Sequence, residues 1–163
     1  MAPKTAAGGT PATVALTSAG ISFTRHAYQH DAAAPAYGLE AADALGLPRE
    51  QVFKTLLADV DGALVVGIVP VAGKLDLKAL AAALGGKKAT MADPGVAERT
   101  TGYVVGGISP LGQKKMLRTV LDESALLHDV VYVSGGRRGF DLGLAPSDLV
   151  AQTRAVTARI ARD

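Results

Sequence analysis

Two apolar runs split by one Asp-Gly pair restrict this chain more than any other feature. They are Val52 to Val60 and Ala63 to Val69, with Asp61-Gly62 between them. A two-residue connection between β-rich runs needs positive φ at both central residues, which aspartate and glycine tolerate. The spacing predicts an antiparallel hairpin. Such a hairpin argues against an all-parallel doubly wound sheet, whose strands are joined by helical crossovers.

Around the hairpin the chain alternates short helical and strand signals. Thr10-Pro11 pairs a cap residue with proline at the first helical position, and Gly20 ends that helix. Ile21 to Tyr28 alternates like a strand, and a polar loop runs through Pro35. Gly38 to Leu45 reads as a short helix closed by Gly46. Asp76 caps a helix with Leu77, Leu80 and Leu84 on one stripe, and Lys87 to Met91 is a short strand. Asp93-Pro94 opens a brief helix ending by Gly102, and Tyr103 to Val105 reads as a strand. Leu117 to Leu121, Val130 to Ser134 and Asp141 to Leu144 are further strands, the last two separated by Gly135 to Gly139. From Pro146 onward, Leu149, Thr153, Val156 and Ile160 keep helical spacing. The expected fold is α/β in the α+β sense: a mixed, strongly curved β-sheet or partial barrel with flanking helices. One domain is expected over residues 10–163, after a flexible tail over residues 1–9.

Composition narrows what that fold can do. At 163 residues and 48% apolar, the chain can build one ordinary core. Aromatic residues make up only 4%, so the core must be aliphatic and broad stacking platforms for single-stranded nucleic acid are disfavoured. The chain has no cysteine, which removes disulfides, thiolate metal sites and a cysteine nucleophile. The longest apolar stretch, Ala63 to Ala72, is broken by Gly67 and Pro70 and falls well short of the ~20 residues that span a bilayer. A soluble, cytoplasmic protein with no membrane partner is expected.

Familiar catalytic patterns are missing. His26, His30 and His128 lack the spacing of a zinc-binding helix, and no GxSxG, GxGxxG or Walker A string occurs. No metal and no cofactor are expected. Each histidine reads more simply as a structural residue. What remains suits an anionic ligand. In Val52-Phe53-Lys54-Thr55-Leu56, period two puts Lys54 among apolar neighbours, where an ammonium must reach water or meet an anion. The string Gly106-Gly107-Ile108-Ser109-Pro110-Leu111-Gly112 offers unobstructed backbone amides to a developing oxyanion. Gly135-Gly136-Arg137-Arg138-Gly139 could form a similar nest with two cations attached. Lys87-Lys88 and Lys114-Lys115-Arg118 add basic pairs, though the net charge is only +2.

Longer strings carry a resemblance. Val52 to Leu56, Pro70 to Asp76, Met91 to Pro94, Thr101 to Gly112 and Tyr132 to Gly136 together resemble the YbaK/EbsC family of aminoacyl-tRNA deacylases. The resemblance runs in order from Thr10 onward. It implies a fold like the editing insertion of bacterial prolyl-tRNA synthetases, and a mischarged tRNA acceptor end as substrate. It also implies roles by position. Lys54 would hold the phosphate of the terminal adenosine, and Gly106, with Gly107 beside it, would hold the ester carbonyl through its backbone. Thr55 would help position the acceptor end or the aminoacyl group, Tyr28 would be a pocket tyrosine, and Ser134 and Asp141 would be polar pocket residues near the aminoacyl group. Prolyl-tRNA synthetase is the implied protein partner.

Within that resemblance three readings stand side by side. The first is cleavage of Cys-tRNA(Pro) in trans, with the substrate's own thiol attacking its ester. The second is water-driven cleavage of an alanine or other small aminoacyl ester. The third is a tRNA-end-binding module without catalysis.

Overall fold

The structure, a computed structural model, describes residues 9–33 and 37–163. The expected tail, Gly9 excepted, and the end of the polar loop lie outside the described residues. Among the described residues the α-helices are α1 (Pro11–Ser18), α2 (Tyr37–Leu45), α3 (Leu77–Ala83), α4 (Pro94–Thr101) and α5 (Pro146–Thr153). The strands are β1 (Thr24–Ala27), β2 (Phe53–Val60), β3 (Ala63–Pro70), β4 (Lys74–Leu75), β5 (Ala89–Met91), β6 (Thr119–Asp122), β7 (Val131–Arg137), β8 (Phe140–Leu144), β9 (Val156–Ala158) and β10 (Ala161–Arg162).

The hairpin forms where expected. β2 pairs antiparallel with β3 from Phe53↔Pro70 to Val60↔Ala63, and Asp61 and Gly62 take φ of +52° and +92°. It is the centre of a five-stranded sheet ordered β5-β2-β3-β6-β9, whose β3–β6 and β6–β9 pairs are parallel. Strand alternation sends Phe53, Leu57, Val66, Ile68 and Leu121 to one face, which packs on Leu16, Val133, Leu142 and Leu149. Ala58, Val60, Val65, Val69 and Val120 go to the other face and meet Leu80, Ala81, Leu84 and Ile160. Burial on both faces explains why β2 and β3 read as nearly continuous apolar runs.

A three-stranded sheet, β1-β8-β7, packs against the first through the shared core, and among the described residues an isolated parallel bridge, Val52↔Tyr132, links their backbones. β5 covers the outer edge of β2 only at Ala58–Val60, with Ala92 N–H donating to Leu57 C=O just beyond. Between these two anchors the edge of β2 from Phe53 to Leu56 carries no neighbouring strand among the described residues. The sheet is therefore mixed and curved around a gap, as expected, without closing into a barrel.

Helix starts follow their capping chemistry. Thr10, Asp76 and Asp93 each accept a hydrogen bond from the N–H of the third helical residue, and Gly102 closes α4 at φ +83°.

Three expectations are corrected. Tyr103 to Val105 is no strand: Tyr103 is buried in a loop, its hydroxyl donating to Leu111 C=O at 2.6 Å. The C-terminal helix stops at Thr153, because Arg154 turns left-handed at φ +55° and the chain then continues as β9 and β10. Gly135 to Gly139 is not a loose connection, since Gly135, Gly136 and Arg137 belong to β7, which bulges between Ser134 and Arg137.

Candidate functional site

The gap beside β2 opens into a cavity of about 410 Å³. Six of the seven residues expected at the site line it: Tyr28, Lys54, Thr55, Gly106, Ser134 and Asp141. They come from separate elements. Lys54 and Thr55 lie on the uncovered stretch of β2. Ser134 and Asp141 are directly opposed across β7 and β8, which puts both side chains on one face. Tyr28 follows β1 and is held by its N–H bond to Gly139 C=O at 2.9 Å.

Gly107 is the exception. It does not line the cavity; instead the backbone of Arg137 and Arg138 approaches so closely that a Cβ on Gly107 would sit 2.8 Å from it. Its lack of a side chain serves packing between loop and hairpin. The two cations expected beside Gly135 to Gly139 are engaged elsewhere. Arg137 stacks on Phe140 at 4.4 Å, and Arg138 turns to Val105 and Tyr37.

The polar groups in the cavity are poorly satisfied by the protein itself. Burial lowers the pKa of the Lys54 ammonium, helped by the neighbouring charge of Lys74. Among the described residues Lys54 has no ion-pair partner. The Thr55 hydroxyl is, among the described residues, the only fully buried side-chain polar atom without a hydrogen bond. Such an orphan costs ~1–3 kcal/mol. Asp141, 5% exposed, is pushed up by burial to about 7. Tyr28 is pushed up to about 12, by burial first and then by the nearby Asp141 charge. Gly106, at φ +89°, donates its N–H to no acceptor among the described residues. A cation, a free amide, a free hydroxyl and a carboxyl poised near neutrality thus share one cavity, whose wall is otherwise apolar.

Sequence reasoning assigned no site role to Leu57, Met91, Ala97, Ile108 or Tyr37, which form part of that wall. Apolar residues carry no mark that separates pocket wall from core. His30 and Glu40 fasten the rim. The Glu40 carboxylate meets the His30 ring at 2.9 Å and accepts the Asp31 N–H at 2.6 Å, joining α2 to the segment after β1.

Fold and cavity together define an α+β protein whose mostly apolar cavity gathers a cation, a free amide, a free hydroxyl and a buried carboxyl. Comparison with known proteins narrows that class. Residues 33–151 match the family model described as an aminoacyl-tRNA editing domain. A protein of Enterococcus faecalis, proposed to be the Cys-tRNA(Pro)/Cys-tRNA(Cys) deacylase EbsC, is 40% identical over 121 residues, 73% of either chain. A solved structure described as a proposed trans-editing enzyme for prolyl-tRNA synthetase matches with a TM-score of 0.80 at 25% identity, covering 100% of this chain and 99% of that one. The structure of the hypothetical protein APE2540 matches at 0.83 with 26% identity, over 94% of this chain and 100% of that one. The chain belongs to the aminoacyl-tRNA editing domain family, in its YbaK/EbsC branch, whose members deacylate mischarged tRNA.

Proposed function

We propose that this chain clears cysteine from Cys-tRNA(Pro) in trans, in the cytoplasm and beside prolyl-tRNA synthetase, acting as a single editing domain. The observation that carries the reading is the cavity's set of unsatisfied groups, with the uncompensated Lys54 ammonium and a free Gly106 amide lining the same cavity. The name of the 40% identical relative supports cysteine as the esterified residue.

In this reading Lys54 binds the phosphate of the terminal adenosine, which relieves the cost of a half-buried, unpaired cation. Gly106 N–H donates to the ester carbonyl oxygen, and more strongly as that oxygen gains charge. The Thr55 hydroxyl gains a partner on the acceptor end or aminoacyl group. Ser134, Asp141 and Tyr28 surround the amino acid. The chain has no cysteine to act as nucleophile; the substrate's thiol takes that part. Its sulfur bonds to the ester carbon, the bond from that carbon to the ribose oxygen breaks, and the thiol proton ends on the ribose hydroxyl. A small cyclic thioester and free tRNA result. Alanine and serine esters lack a thiol and cannot follow this course, so specificity rests on reactivity. That matters because fit alone separates small side chains by only ~1–3 kcal/mol.

The test is a deacylation panel with Cys-tRNA(Pro), Ala-tRNA(Pro) and Cys-tRNA(Pro) whose thiol is alkylated. Rapid loss of cysteine alone is expected, with a drop of about 100-fold or more for Lys54→Ala. Cleavage of the alkylated ester at the unmodified rate would exclude the self-cyclising course. Faster release of alanine would make water the attacking group.

A further inference from the structure

Gly106 is the third residue of a β-turn closed by Gly107 N–H donating to Val104 C=O at 2.8 Å. Positive φ at Gly106 but not at Val105 makes the turn type II. Types I and II differ by a half-rotation of the middle peptide, here the one joining Val105 to Gly106. That rotation exchanges the sides to which its C=O and N–H point. A trans peptide directs these two groups oppositely, so whatever fixes the Val105 oxygen also fixes the Gly106 N–H.

Arg138, in the turn between β7 and β8, fixes that oxygen. Its Nε and Nη2 both donate to Val105 C=O, at 2.9 and 2.6 Å. The guanidinium also lies 4.8 Å over the ring of Tyr37, at the start of α2. On the other side of the same residue, the Glu98 carboxylate of α4 accepts the Val105 N–H at 2.8 Å. Both backbone groups of Val105 are thus held by charged side chains from different elements. Gly106 lines the cavity and Arg138 does not. A Cβ on Gly106 would come within 2.8 Å of both Arg138 Nε and the Tyr37 ring, so this face of the turn is closed by side chains.

We propose that Arg138 is a positioning residue, whose forked hydrogen bond to Val105 C=O holds the turn in its type II form and so presents the Gly106 N–H to the substrate ester. The idea rests on the deacylase reading and extends it to a side chain outside the cavity. Two donors of one rigid fork converging on a single carbonyl oxygen set its direction as well as its distance, which a single ammonium does not. Arg138 is exposed, so truncating it leaves the core intact.

The experiment compares Arg138→Ala and Arg138→Lys with the unaltered chain. For Arg138→Ala, kcat for deacylation should fall at least tenfold while KM stays within twofold, and Arg138→Lys should recover little of the loss. In substrate-free protein labelled with ¹⁵N-glycine, the Gly106 amide cross-peak should shift or double in Arg138→Ala. A KM rise at unchanged kcat, restored by lysine, would make Arg138 a phosphate contact and overturn the proposal. So would a Gly106 cross-peak that stays in place. If the unaltered protein leaves mischarged tRNA intact, the deacylase reading fails separately. The cross-peak comparison, which needs no substrate, then still decides what holds the turn.

Discussion

Asp141 shows how one side chain links site to stability. Its carboxyl ionises near 4 when exposed, but burial in the cavity raises this to about 7. Between those values the folded chain keeps a proton that the unfolded chain has lost. Stability must therefore fall as pH rises from about 4 to about 7, and remain lower above that range. Asp141→Asn, which cannot ionise, should stabilise the empty protein at pH 8 and much less at pH 5. Urea unfolding at the two pH values checks this, and equal effects at both would remove the argument. The same variant should flatten any limb of the kcat/KM profile that rises through pH 7, because that profile reports ionisations in the free enzyme. Lys54 shares the logic with opposite charge. The family resemblance singled out Lys54 and Asp141, which line the cavity, whereas nothing in the string around Arg138 tells a surface cation from one bonded to a peptide 33 positions away.

At the scale of elements, the readable parts were those whose signals are local. The Asp61-Gly62 turn and the caps at Thr10, Asp76 and Asp93 depend on neighbours within four residues, and all form. The misread parts depend on distant partners. Val156 to Ile160 kept helical spacing, but the chain there is organised by β6, which pairs with β9 in parallel, and by Asp122 at the end of β6. That aspartate is buried and accepts from Ile160 and Ala161 N–H at 2.9 Å through one oxygen, and from Ser124 through the other. It joins the 3-10 helix Glu123–Leu127 to the final strands. Asp122→Ala leaves buried donors without an acceptor and should cost about 3 kcal/mol. A fall in Tm of about 10 °C is expected, with faster amide exchange over Val156–Ala158. A melting curve like that of the unaltered chain would show that the strands hold without it.

For the whole molecule, the cavity beside β2 gathers few cations among the described residues. Lys54 lies in the cavity and Lys74 is an exposed charge close enough to perturb it. Two cations suit about two backbone phosphates of a single-stranded acceptor end, each contributing a slope near 0.7 in the logarithm of salt concentration. Binding of an uncleavable acceptor-end analogue should then weaken only about sevenfold between 50 and 200 mM salt. A much steeper loss would require a wider basic surface than these residues provide. The interrupted edge of β2 has one more consequence. A strand with free backbone groups ordinarily invites pairing with another copy of the chain. Here β5 and the bridge to β7 leave room for only four residues, and a lysine stands among them. The opening along β2 is too short and too charged to template a fibre.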